Sequence, residues 1–129
     1  MVASRGEIAM PDWSIKIVPS KSRIAGVTAA FVPDIDGARR GQPLKVQQGD
    51  LVSWNNTTDK EHWPWPVTSQ NAPPVDPPPG GNVLTEATIK PNSSSPAYNV
   101  VATQGTTIFY CCKWHPAERG RMIVVGFGE

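Results

Sequence analysis

The chain has 129 residues, enough for one domain with one core. Its 12 Lys and Arg against 11 Asp and Glu leave a net charge of +1, without the basic excess of a nucleic-acid binder or the charge excess of a disordered tail. No window approaches 18 consecutive apolar residues, so no membrane span is expected, and the first residues lack the basic-then-apolar order of a signal peptide.

Fourteen prolines and 11 glycines make up about a fifth of the chain and break up most helical stretches. The apolar runs between them are short and rich in Val, Ile and Thr, which suits strands. Residues 1–12 read as a lead-in and 13–129 as a single domain. Residues 13–18 alternate apolar and polar and predict a strand. Residues 24–32 predict a second, and 34–42 a loop. Residues 44–47 and 51–55 are strands around the Gly49-Asp50 turn.

Residues 56–81 are the least regular part. The run Pro73-Pro74-Val75-Asp76-Pro77-Pro78-Pro79 reads as a stiff, extended loop. Strand-like stretches follow at 83–90, 98–102, 106–112 and 122–127, with a polar turn at 92–96. Seven or eight short strands at this spacing predict an all-β protein, a Greek-key sandwich or barrel.

The chemistry is concentrated in few residues. The chain has only 2 Cys and 2 His. Cys111, Cys112 and His115 fall within five residues, entering a Pro- and Gly-containing turn. Cys112-Lys113-Trp114-His115 is a C-x-x-H spacing that lets two side chains of one tight loop converge. His62 also ends a strand, far upstream. A thiolate and two imidazoles form the trigonal donor set of blue-copper sites, where a weak axial ligand is usual. Strand alternation points Cys111 to the face opposite Cys112, as a small core residue. A disulfide between adjacent cysteines would strain the peptide.

Taken together, these residues resemble a small cupredoxin of the plastocyanin, amicyanin and pseudoazurin type. The resemblance is carried by Val46-Gln47-Gln48-Gly49-Asp50-Leu51-Val52-Ser53-Trp54-Asn55, by Asp59-Lys60-Glu61-His62, by Phe109-Tyr110-Cys111-Cys112-Lys113-Trp114-His115-Pro116 and by Arg119-Gly120-Arg121-Met122-Ile123-Val124-Val125. It implies one copper per chain, with His62, Cys112 and His115 as ligands. The family's axial Met does not carry over cleanly. Aligning the C-terminal motif puts Glu118 at the axial position, while a longer ligand loop would bring Met122 there instead. A carboxylate is a harder ligand than a thioether. It would stabilise Cu(II), lower the potential and push the site toward tetragonal geometry, giving a green, red or otherwise atypical centre. Nitrosocyanin, a red copper relative, uses a carboxylate drawn from elsewhere in its chain.

Two more departures stand out. Relatives commonly carry Asn after the first His, where it braces the thiolate loop; here Trp63 follows, then Pro64-Trp65-Pro66. Cys111 beside the ligand is the other. Trp63 and Trp65 read as an apolar apron near the site or as cover for the Pro-rich loop. Lys113, Arg119 and Arg121 read as a solvated rim or as charges that steer an acidic partner.

The resemblance implies an exported or periplasmic, monomeric one-electron carrier, with redox partners docking near His115. The alternatives are a copper enzyme or small-molecule site with a carboxylate or open axial position, copper storage or delivery using Cys111 as an extra thiol, and a metal-free binding sandwich.

Overall fold

The computed structural model describes residues 12–20 and 28–126. Among these the chain forms nine strands and one short 3-10 turn: β1 (Asp12–Pro19), β2 (Ala29–Pro33), β3 (Leu44–Val46), β4 (Leu51–Asn56), β5 (Pro64–Val67), β6 (Ser93–Ser94), β7 (Tyr98–Asn99), β8 (Thr107–Cys112) and β9 (Arg119–Val124), with the turn at Pro79–Gly81. They build two facing sheets. One runs β2-β1-β4-β6, with β7 also pairing with β4; the other runs β3-β9-β8-β5. The β1–β4 and β3–β9 pairs are parallel and the others antiparallel. The predicted all-β sandwich is therefore the observed fold.

The core lies between the sheets. Ile15 and Ile17, Val52 and Trp54, Leu44 and Val46, Ile108 and Tyr110, and Met122 and Val124 alternate inward along their strands and pack as one cluster. A two-residue period is what a half-buried strand requires. Tyr110 sits edge-on to Phe31 and Trp54, with ring centroids 4.9 and 5.5 Å away. Its ring lies over Gly120 across the β8–β9 pair. A Cβ at Gly120 would fall 2.5 Å from that ring, so only glycine fits.

The second sheet buries its outer face too. Trp65, Val67 and Cys111 point away from the main core, yet all three are buried. Above them the Pro-rich loop folds back onto the sheet. The Trp65 indole N–H donates to the Val75 carbonyl at 2.8 Å, and the Arg119 guanidinium donates to the Ala72 carbonyl at 2.6 Å. The opposite orientations of Cys111 and Cys112 follow the predicted alternation.

Several expectations change. Part of the irregular 56–81 stretch is strand β5, although two of its four residues are proline. It lies at a sheet edge, where a missing N–H costs no ladder bond. Residues 83–90 form no strand; only Ile89 bridges, to His62. Residues 92–96 contain the two-residue β6, and the strand expected at 98–102 stops at Asn99. The last strand begins at Arg119, three residues earlier than expected. Residues 24–27 of the second predicted strand, and the lead-in up to residue 11, lie outside the described residues.

Candidate metal centre

Cys112 is the last residue of β8, on its inward face. The turn after it is closed by main-chain bonds: His115 N–H to the Cys112 carbonyl at 3.1 Å, Glu118 N–H to the His115 carbonyl at 2.9 Å, and Cys112 N–H back to the Glu118 carbonyl at 3.0 Å. This loop brings Cys112, His115 and Glu118 to one end of the sandwich.

His62 reaches the same end from the loop after β4. Its backbone makes a two-way bridge with Ile89, at 3.2 and 2.8 Å. Asn56 sets up that bridge. Its buried amide donates to the Lys60 carbonyl at 2.6 Å and the Ile89 carbonyl at 3.0 Å, while its oxygen accepts from the Thr58 N–H and hydroxyl. Sequence reasoning missed Asn56; its only local signal is the Asn-x-Thr spacing of a side-chain-capped turn.

Donor atoms of His62, Cys112, His115 and Glu118 all lie within 4.8 Å of one another. The His62 Nδ1 to Glu118 Oε1 separation is 3.3 Å, that of His115 Nδ1 to the same oxygen is 3.6 Å, and Cys112 Sγ stands 3.4 Å from His115 Nδ1. Donors sharing one ion at roughly 2.0–2.3 Å stand about 3.3–3.6 Å apart when spread tetrahedrally. The residues present therefore fit a single metal ion.

The polar bookkeeping agrees. Both ring nitrogens of His62, and Glu118 Oε1, are buried without a hydrogen-bond partner. Buried polar atoms are rarely left so unless something else satisfies them. The other carboxylate oxygen is fully engaged. Glu118 Oε2 accepts from the Thr28 N–H at 2.7 Å, the Thr28 hydroxyl at 3.1 Å and the Ala29 N–H at 2.9 Å. The opposite sheet thus locks the carboxylate and leaves one oxygen facing the imidazoles.

The electrostatics favour the charged donors. Burial works against the Cys112 thiolate, but His62, the Trp63 backbone N–H, His115 and the Trp114 backbone N–H outweigh it and bring the thiol down to about 7. Burial likewise opposes charge on His62, and the facing Cys112 and Glu118 push it up to about 9. Glu118 is held below the usual carboxylate range against the cost of its burial, by His62 and the Thr28 N–H. Cys111, one residue away, is pushed up to about 11 by burial.

Met122 lies elsewhere. It faces the core from β9, opposite Ile108. That level is four residues, roughly 13 Å, along β8 from Cys112. At the position after His62, the Trp63 backbone N–H supports the thiolate and its carbonyl accepts the Lys113 N–H at 2.9 Å. Two of the three basic side chains near the loop are engaged within the chain. Lys113 pairs with Asp76 at 3.1 Å and Arg119 is spent on Ala72.

The fold has counterparts among solved structures. No family profile and no curated protein sequence matches the chain. A purple cupredoxin from Nitrosopumilus maritimus superposes with a TM-score of 0.56 at 13% identity, over 86% of this chain and 97% of that one. A mutant amicyanin in its reduced state gives 0.52 at 20% identity, over 92% and 87%. A multicopper oxidase from the hyperthermophile Aquifex aeolicus gives 0.54 at 14% identity, over 88% of this chain but 26% of that one. The chain has the cupredoxin fold, with a His–Cys–His–Glu cluster as its candidate metal centre.

Proposed function

We propose that the protein holds one copper ion on His62, Cys112, His115 and Glu118 and carries single electrons between larger redox proteins. The observation that carries this reading is the burial of the donor set. His62, Cys112 and Glu118 are closed off from solvent, whereas the His115 side chain is 26% exposed. Electron transfer between proteins needs only an edge at the surface. A reaction on a bound small molecule needs a way in to the ion.

Copper held there would supply a one-electron Cu(II)/Cu(I) couple. The chain's part is to keep the donors still. The thiolate is fixed by the end of β8 and the backbone N–H groups of Trp63 and Trp114. The Ile89 bridge holds His62, and three donors from Thr28 and Ala29 hold the carboxylate. Two anionic donors favour the higher metal charge, so the centre has a low potential for its fold. The partner docks over His115 and the half-exposed Trp114 beside it. We take the protein to be exported and monomeric, as the sequence resemblance to small cupredoxins implies.

The test is a Cu(II) titration followed by absorption and electron paramagnetic resonance, with cyclic voltammetry of the loaded protein. A strong visible thiolate-to-copper band and a reversible one-electron wave support the carrier. A colourless protein with weak copper signals would turn the reading to a metal-free sandwich. Release of Cu(I) to an acceptor without a reversible wave would turn it to copper delivery.

A further inference from the structure

The Pro-rich loop and the two tryptophans after His62 have so far only covered the outer face of the second sheet. Their contacts converge on one side chain. The Lys113 ammonium lies 4.0 Å from the Trp65 ring centroid and 4.7 Å from that of Trp63, and it pairs with Asp76 of the Pro-rich loop. The two rings meet edge to face at 5.1 Å, and Trp114 closes on Trp63 at 6.0 Å. Each wall is itself tied down. The Trp63 indole N–H donates to the Thr85 carbonyl and that of Trp65 to the Val75 carbonyl. The Lys113 backbone N–H adds a bond to the Trp63 carbonyl.

Lys113 is the outward residue of the turn whose inward residues are Cys112 and His115. We infer that Lys113 is a positioning residue: gripped by two indoles and Asp76, it clamps the thiolate loop to the Pro-rich loop and so fixes the Cys112 and His115 donors. A cation held over two ring faces and largely removed from water is attracted by both quadrupoles. Asp76, whose side chain is 68% exposed, adds a weaker solvent-facing tie to the same ammonium. A flexible lysine then loses its freedom, and the turn beneath loses the freedom to rock. The Pro-rich loop has a matching purpose, since its stiffness gives the clamp a fixed outer jaw.

This inference rests on the metal-site reading for its consequence, but the clamp itself is testable on the metal-free chain. Amide hydrogen exchange by NMR would be compared in the parent, Lys113→Met and Lys113→Arg. Methionine keeps the stem and loses the charge; arginine keeps a charge that stacks on indoles. The expected result is exchange about tenfold faster at the amides of residues 113 and 115 in Lys113→Met, with strand amides unchanged and Lys113→Arg close to the parent. Cu(II) affinity should fall by about tenfold in Lys113→Met and recover in Lys113→Arg, the scale seen when groups that orient metal ligands are lost.

Unchanged exchange at those two amides, or a uniform rise across all strands, would overturn the clamp. If Lys113→Met does not fold, Asp76→Asn replaces it, with a smaller rise at the same amides expected and no rise counting against the idea. If the parent takes up no copper, the copper reading falls, while the exchange result still decides the clamp.

Discussion

Cys111 and Cys112 are neighbours in sequence and opposites in chemistry. Both are buried at the end of β8. Cys112 faces inward, where His62, His115 and two backbone N–H groups bring its thiol down to about 7. Cys111 faces outward beneath the Pro-rich loop, where burial pushes it up to about 11. The strand supplies the same backbone to each. What differs is whether the facing groups favour charge. A thiolate is a metal ligand and a buried thiol is inert packing, so one alternation of the β8 pleat separates site from scaffold.

The largest test of this contrast is Cys112→Ser, which should abolish the thiolate-to-copper band, as read by absorption after Cu(II) addition. Retention of the band would mean that another sulfur binds the metal. Next in size is Glu118→Gln. It keeps the shape of the side chain and the possibility of bonds to Thr28 and Ala29, but removes the anion facing both imidazoles. Cu(II) affinity should fall roughly 10–100-fold and the potential should rise. A competition titration and voltammetry would measure these. An unchanged potential would place the carboxylate outside the metal's coordination.

Much of the inward site was legible beforehand because its residues are chemically scarce and locally spaced. The C-x-x-H turn, the upstream His62 and the displaced Glu118 are visible as letters. The outward face was legible only in part: alternation turned Cys111 outward, and Trp63 and Trp65 read as cover for the Pro-rich loop. Cys111 is covered by a loop some 40 residues upstream, and Lys113 meets Trp63 and Trp65 only after β5 pairs with β8. Prolines hid β5, since propensity does not know which strand will be an edge. The opposite error occurred at 83–90, where Leu84 and Ile89 are buried. An apolar pattern reports what must leave water, not whether a ladder partner is waiting.

On the inward side the packing is tight enough to break with one methyl group. Gly120→Ala would drive a Cβ into the Tyr110 ring, and overpacking of this kind costs about 1–3 kcal/mol. Urea denaturation of the metal-free protein would read it, and Tyr110→Phe should leave the loss largely in place, since ring carbons also lie in the way. A variant as stable as the parent would mean that β8 and β9 can spread apart.

Proton coupling should be smaller. In the metal-free protein the His62 imidazolium is favoured by the facing anions, an effect present in full below its ordinary value of 6.5 and lost as pH rises through about 9. Metal uptake needs the neutral ring. Between about pH 7 and 9, Cys112 is mostly thiolate and His62 mostly protonated. Cu(II) affinity should therefore rise with pH by about tenfold per unit from His62, and this rise should flatten above 9. Isothermal titration in buffers of different ionisation enthalpy would count the proton, and a pH-independent affinity across this window would contradict the facing of His62 and Glu118.

The smallest effect belongs to Cys111→Ala. The thiol is neutral at ordinary pH because burial disfavours its charged form. It lies opposite Trp65 and Arg119 in the sheet, on the face away from the donor cluster. Removing its sulfur should cost about 1 kcal/mol through lost packing under the loop, while the copper spectrum and potential stay at the parent's values. A stability loss without a spectral change separates the two faces of the strand; a spectral shift would show that the outward layer reaches the metal through β8.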